Sequence, residues 1–149
     1  MPIVRTIGRP LLASMFIAGG WDAVRRPESK VGAAKKVVSP LPVDADTKAL
    51  VRLNGAVQVT AGSLLAVGRA PRLSAAALAG SLVPTTLAGH RFWEEKDESA
   101  RAGQRVHFLK NLAMLGGLVL ELGDSGTRRH RSTRRRRSKS TVRSRGGKR

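Results

Sequence analysis

The sequence has no cysteine and no tyrosine, and aromatic residues make up only 3% of its 149 residues. Without cysteine, the chain can form no disulfide framework, perform no thiol chemistry and offer no thiolate to an iron–sulfur cluster. Scarce aromatic side chains leave little surface for the stacking of nucleic-acid bases. No G-x-S-x-G, P-loop or H-E-x-x-H motif occurs, and no group of residues predicts a metal site. We therefore predict no catalysis by this chain on its own.

Acidic residues are missing where the positive charge is highest. The formal net charge is +18, but twelve of the 28 Lys and Arg residues lie from Thr127 to Arg149, where there is no acid. The first 126 residues hold sixteen Lys or Arg and all ten acids, so the body of the chain is only mildly basic. The basic end has too few apolar residues to bury a core. Residues 125–149 are therefore predicted to be a disordered tail.

The body of the chain contains one long stretch without charge. Residues 73–89 carry no charged side chain, and His90, Arg91 and Trp93 follow at once. About twenty apolar residues suffice for a helix that crosses a hydrocarbon core of roughly 30 Å. Trp beside charged residues is typical of the membrane interface. A buried helix of a soluble bundle is the alternative, and the pattern favours a transmembrane helix.

Three further stretches predict helices of similar length. The first carries Arg5 and Arg9 before an uncharged run, as a signal peptide does, but no small-x-small cleavage site follows, which favours a retained helix. The second contains Arg52 near its end, where the side chain can reach the membrane surface. The fold class is therefore all-α: a four-helix transmembrane up-down bundle over residues 1–124, with helices at about 3–23, 49–68, 73–91 and 106–122.

The connecting segments are predicted from their prolines and charges. Residues 25–48 contain Pro27, Pro40 and Pro42 and show no apolar periodicity, so we expect an exposed loop with at most a short surface turn. Residues 69–72 form a tight turn that makes the second and third helices antiparallel. Small residues in the first two helices, Gly19, Gly20, Gly55, Ala61 and Gly62, predict close helix packing.

Alternating helix direction brings the polar residues to one end of the predicted bundle. The first and third helices end on the side where the second and fourth begin. Polar residues at membrane depth normally face the bundle interior or a wet cavity, and ionisable ones are candidates for function. His107, Lys110 and Asn111 share one helix face by their spacing. The candidate ligand-binding residues are Asn54, Gln58, His90, Trp93, His107, Lys110 and Asn111.

Three interpretations of these residues remain open. The amides could simply link helices by hydrogen bonds, each worth about 0.6 to 2 kcal/mol, while the cations reach the headgroups. The set could bind a small molecule such as a quinone or a polar solute. Alternatively, His90 and His107 could ligate a haem between the third and fourth helices.

Several segments resemble the four helices of the DoxX family, in the branch common in actinobacteria. They are GRPLLASMFIAGGWDAV, LVRLNGAVQVTAGSLLAVGRAPR, LVPTTLAGHRFWEE and HFLKNLAMLGGLVLE, which together cover about residues 3–122. The resemblance implies a four-helix integral membrane protein. Relatives include subunits of a thiosulfate:quinone oxidoreductase and proteins associated with terminal oxidases. Many of them carry Glu near the position of Gln58, so the resemblance implies that any proton or cation role of that carboxylate is absent here.

The resemblance favours an accessory or quinone-linked subunit of a membrane redox system, with an oxidoreductase as partner and quinone as the candidate cofactor. The alternatives are a small-solute transporter and a purely structural membrane protein. A soluble nucleic-acid-binding protein is a third class, which a lack of membrane partitioning would support. Fold follows from such a resemblance more safely than reaction does.

The tail determines the expected orientation in the cell membrane. Four crossings place both termini on one side, and the tail's positive charge favours the cytoplasm for that side. We expect the tail to bind anionic lipid, with non-specific, salt-dependent nucleic-acid binding as the less favoured alternative. The residues predicted to make this contact are Arg128, Arg129, Arg131, Arg134, Arg135, Arg136, Arg137 and Lys139.

Overall fold

The computed structural model describes the backbone of residues 2–40 and 46–145, and the side chains of residues 3–40 and 46–123. Within this part of the chain the fold is all-α, with five helices and no strand. The prediction of an all-α chain is therefore confirmed. The helices are α1 (Pro2–Arg25), α2 (Glu28–Val38), α3 (Thr47–Ala66), α4 (Pro71–Gly89) and α5 (Glu98–Arg145).

Helix α2 lies where the sequence predicted an exposed loop. Its eleven residues contain no proline, because Pro27 immediately precedes it and Pro40 lies beyond its end. Proline is tolerated at the start of a helix, since its fixed φ already suits the helical conformation. Pro40 has no N–H to donate to the preceding turn, and the helix ends before it, at Val38. The prolines thus delimit a helix, and the prediction of a loop was wrong for residues 28–38.

Helices α1 and α3 approach each other closely through small residues. A Cβ atom added to Gly20 would lie 2.6 Å from the carbonyl oxygen of Gly55, and one added to Gly55 would lie 2.6 Å from the carbonyl oxygen of Gly20. Further along, a Cβ atom on Gly62 would lie 3.0 Å from the side chain of Ile17. Gly20 faces Gly55 while the earlier Ile17 faces the later Gly62, so the two helices run antiparallel. The predicted small-residue packing is confirmed here.

The apolar core occupies the half of the molecule near the turn between α3 and α4. All four long helices contribute to it, and α2 contributes no buried residue. Three of the eight core residues are alanine, which allows a close approach of the helices. The core residues are Ala13, Phe16, Ala61, Leu65, Ala75, Leu78, Leu82 and Leu118.

Of the described helices, one is long and apolar enough to cross a membrane by length and composition: Glu98–Gly123 of α5. The other long helices are less apolar for two reasons. Arg5 and Arg9 lie in α1, and Arg52, Asn54 and Gln58 lie in α3. Helix α4 is uncharged after Arg72 but rich in Ala, Gly, Ser and Thr, which present little apolar surface per residue. Four membrane crossings therefore stay a prediction.

Helix α5 is much longer than the predicted fourth helix. It begins at Glu98, before position 106, and continues to Arg145. No proline interrupts it, Arg and Lys are good helix formers, and each added residue gains a backbone hydrogen bond once a helix exists. The backbone is helical through Arg145, and disorder of residues 125–149 stays a prediction. The side chains predicted to bind lipid or polyanion lie outside the described residues: Arg128, Arg129, Arg131, Arg134, Arg135, Arg136, Arg137 and Lys139.

Candidate functional site

Asn54 and Gln58 belong to a hydrogen-bonded network between α3 and α4. The amide nitrogen of Gln58 donates to the hydroxyl of Ser81 at 2.8 Å, and that hydroxyl donates to the amide oxygen of Asn54 at 2.9 Å. The amide nitrogen of Asn54 donates to the hydroxyl of Thr85 at 3.2 Å. Gln58 and Ser81 are buried. The network therefore satisfies buried polar groups and joins the two helices, as the interhelical interpretation expects.

Asn111 forms a second link, between α5 and α4. Its amide nitrogen donates to the hydroxyl of Thr86 at 3.0 Å, and that hydroxyl donates to the carbonyl oxygen of Leu82 at 2.8 Å. Asn111 is 6% exposed. A buried amide that is hydrogen-bonded in this way stabilises helix packing. Asn111 therefore has the same structural role as Asn54 and Gln58.

His90 and His107 meet at the junction of α4 and α5. Their rings stack with centroids 5.2 Å apart and an angle of 22° between the planes. Nδ1 of His90 lies 2.8 Å from the side-chain oxygen of Gln104. A haem held between two histidines is bound by ring nitrogens on opposite faces of its iron, and stacked rings leave no room for it. The geometry argues against haem ligation by this pair.

Trp93 contributes to a cluster of aromatic rings beside the histidines. Its ring lies 5.2 Å from Phe92 and 6.1 Å from Phe108, both edge to face. Phe92 and Phe108 are 5.4 Å apart. Trp93 is 48% exposed, which fits the predicted interfacial position. Lys110 is exposed on α5, one turn beyond His107.

The seven candidate residues thus fall into different environments. Among the described side chains, hydrogen bonds and ring contacts place Asn54 and Gln58 in one network and Asn111 in another. His90, His107 and Trp93 lie with the aromatic rings at the junction of α4 and α5, where Lys110 is also exposed. The candidate residues that helix direction predicted at one end of the bundle are thus distributed over these separate contacts. Ligand binding by these residues stays a prediction.

An ion pair at the opposite end of the helices was missed. Nη2 of Arg9 in α1 lies 2.5 Å from Oε1 of Glu121 in α5, and the two side chains are 20% and 11% exposed. Nη1 of Arg9 would be 3.1 Å from a Cβ atom on Gly68, which has a φ of +71°. The prediction that the polar residues gather at one end of the bundle was therefore wrong for this pair. Arg9 lies near the start of the first predicted helix, and Glu121 lies near the end of the fourth. Alternating helix direction places these two ends on the same side of the bundle, and this would have indicated the pair.

Exposed ion pairs connect α2 to its neighbours. Glu28 pairs with Lys48 at 2.5 Å, and Lys36 lies 3.5 Å from Glu94 in the connection between α4 and α5. The hydrogen bond from Lys48 lowers the pKa of the Glu28 carboxyl. The hydrogen bond from Arg91 does the same for the pKa of Glu94, with Lys36 adding to it. Both carboxylates are therefore ionised at neutral pH, and screened surface attraction helps hold α2 in place.

Replacing Ser81 with alanine should destabilise the contact between α3 and α4. The change removes the hydroxyl that accepts from Gln58 and donates to Asn54, and it leaves the buried Gln58 amide without this partner. The expected loss is about 1 to 2 kcal/mol in the free energy of unfolding. Denaturation of the purified protein in detergent would measure it.

Ser14→Ala is the matched control, because the exposed Ser14 hydroxyl donates to the carbonyl oxygen of Leu11 one turn earlier in the same helix. Equal stability of the two variants would show that the network contributes nothing.

Comparison with known proteins gives a match to a protein family. A family model described as DoxX matches residues 4–91, which extend from α1 through α4 and include Asn54, Gln58 and His90. His107, Lys110 and Asn111 in α5 lie beyond the matched range. No curated protein and no solved structure matches the chain. Because the match covers more than half of the sequence, the chain belongs to the DoxX family, whose members are generally membrane proteins.

Proposed function

We propose that the four long helices are embedded in the cell membrane as an up-down bundle, and that the protein is an accessory subunit of a membrane redox system that binds quinone. The distribution of polar and apolar side chains supports the membrane location. Gln58, Ser74, Ser81 and Asn111 are buried, whereas large apolar side chains face outward on every long helix. Ile3 is 72% exposed and Leu120 is 75% exposed. Water would oppose this arrangement, and lipid would favour it.

Helix α5 supports the same conclusion. Only 11% of its apolar window is buried within the protein. The core helix of a soluble protein would be mostly covered by its neighbours. Exposed apolar residues follow α5 along its length: Val106, Leu109, Leu112, Val119 and Leu120.

The junction of α4 and α5 is the best candidate for a quinone headgroup. A quinone is a flat ring with two carbonyl oxygens, so it needs apolar or aromatic surface and a few hydrogen-bond donors. Trp93 and Phe108 supply aromatic surface, and the exposed His107 and Lys110 supply donors one helical turn apart. The aromatic cluster also lies next to the membrane interface in this arrangement, where a quinone tail could remain among the lipids.

Purification from detergent-solubilised membranes tests this proposal. We expect quinone in the organic extract, an oxidoreductase among the retained proteins, and stabilisation of the protein by an added short-chain quinone. His107→Ala and Lys110→Ala should abolish the stabilisation while leaving membrane insertion unchanged, because each removes a donor to a carbonyl. Arg101→Ala is the control, since it removes an exposed cation from the same helix.

Two results would contradict the proposal. If both His107→Ala and Lys110→Ala retain the quinone effect, the site is elsewhere. If the protein purifies without colour, quinone or partner, the redox role fails, and substrate accumulation in vesicles would then test transport.

We also propose that both termini are cytoplasmic and that the basic tail contacts anionic lipid. Moving each positive charge outward against the membrane potential costs about 2.3 kcal/mol per 100 mV. Each Lys or Arg near an anionic leaflet contributes roughly 1 kcal/mol. The twelve basic residues after Ser125 therefore dominate the orientation. The junction of α4 and α5 would then face outward.

A further inference from the structure

We propose that His90 and His107 form a two-histidine site for a divalent transition-metal ion on the exposed junction of α4 and α5. The spacing of the two rings supports this proposal. Their centroids are 5.2 Å apart. Two imidazoles bound to one tetrahedral ion through their ring nitrogens have centroids about 5 Å apart, given metal–nitrogen distances of about 2.0 Å. The backbone therefore already places the two side chains at the separation that a shared ion requires.

Gln104 prepares His90 to act as a ligand. Its side-chain oxygen lies 2.8 Å from Nδ1 of His90, and an amide oxygen can only accept a hydrogen bond. Nδ1 therefore carries the proton and Nε2 keeps its lone pair. Metal-binding histidines characteristically donate their second nitrogen to a carbonyl or carboxylate in this way, which fixes the tautomer and the direction of the ring. Gln104 and His107 are three residues apart on α5, so one helix positions both.

His107 supplies the adjustable ligand. It is exposed, and its stacking on His90 is its one ring contact among the described residues. The present rings are nearly parallel, so His107 must turn about its Cβ–Cγ bond for both nitrogens to meet one ion. Its exposure allows that rotation. The stacking contact is lost when the ring turns, and two metal–nitrogen bonds replace it.

The ion would be only partly enclosed by protein. In the described part of the chain, no group of three or more His, Cys, Asp or Glu side chains gathers around a common point. Water or an exogenous ligand would fill the remaining positions, as in open metal sites. Imidazole nitrogens favour copper, nickel and zinc over magnesium and calcium, and Cu²⁺ binds most tightly in this series. Cu²⁺ is therefore the most sensitive probe of the site.

Trp93 provides the readout. Its ring is 6.1 Å from Phe108, which follows His107 directly in sequence, and a bound Cu²⁺ ion quenches nearby tryptophan fluorescence. Trp21 is the second tryptophan, so the full chain carrying Trp21→Phe would be titrated with Cu²⁺ in detergent. We expect saturable quenching, and no response to Mg²⁺. His90→Ala and His107→Ala should each weaken binding by at least about tenfold, and Gln104→Leu by about tenfold.

His130 is the third histidine of the chain, and His130→Ala is the matched control, expected to bind Cu²⁺ as the parent does. Unchanged affinity of both His90→Ala and His107→Ala, or loss of binding in His130→Ala, would overturn the proposal. Retained helical content and an unchanged elution volume in gel filtration would show that each variant is folded. This inference does not depend on the quinone: Lys110→Ala should lose quinone binding and keep Cu²⁺ binding, whereas His90→Ala should show the reverse.

Discussion

A single methyl group added at position 55 should force helices α1 and α3 apart. The Cβ atom of Gly55→Ala would lie 2.6 Å from the carbonyl oxygen of Gly20 and 3.0 Å from Cβ of Ala23. Neither neighbour can move away alone, because one is backbone and the other is the first side-chain atom. We expect a loss of about 3 kcal/mol or more in the free energy of unfolding, at or beyond the upper end for overpacked cores.

The matched control is Gly80→Ala in α4. A Cβ atom at Gly80 meets nothing within 4 Å among the described atoms. Alanine is a better helix former than glycine, so this change should leave stability unchanged or raise it by about 0.5 to 1 kcal/mol. Denaturant titration in one detergent would compare the two variants with the parent. Equal stability of Gly55→Ala and Gly80→Ala would mean that α1 and α3 do not pack as closely as described.

This packing was predictable because it depends on residue type and helical position alone. Gly20, Gly55 and Gly62 have no side chain beyond hydrogen, so their presence within predicted helices favoured a close approach of those helices. The four long helices followed from the apolar stretches in the same way. The glycine positions and the apolar stretches are both local patterns, and local patterns can be recognised in a single sequence.

Helix α2 and the separate environments of the candidate residues could not be predicted from local sequence patterns. Pro27 and Pro40 are compatible with either a loop or a short helix between them, and ion pairs such as Glu28 with Lys48 exist only once α3 is in place. Asn54 and Gln58 are four residues apart in α3 and therefore share a helix face. Their partner Ser81 lies on another helix, and the register between helices decides whether an amide meets a hydroxyl or a ligand. Helix spacing within one segment contains no information on that register.

Replacing Arg9 alone should also be strongly destabilising. Arg9→Met removes the guanidinium that contacts the Glu121 carboxylate, which is only 11% exposed. Removal of one member of a buried ion pair typically costs about 3 to 5 kcal/mol, because the remaining charge loses a partner that compensated its removal from water. We expect a loss of about 3 kcal/mol, near the low end of that range, since Arg9 retains some exposure. Lys36→Met is the control: its pair with Glu94 is exposed and 3.5 Å long, and such pairs contribute about 0 to 1 kcal/mol.

The double variant Arg9→Met/Glu121→Met distinguishes a coupled pair from two independent losses. If the two charges act together, the double variant removes both of them, and apolar side chains of similar length fill the space between α1 and α5. Stability should then return to within about 1 to 2 kcal/mol of the parent, as found when buried ion pairs are replaced by apolar residues. A cycle of the four proteins gives the coupling free energy directly. Additive losses would instead mean that Arg9 and Glu121 act through separate partners, and that the contact between them does not hold α1 against α5.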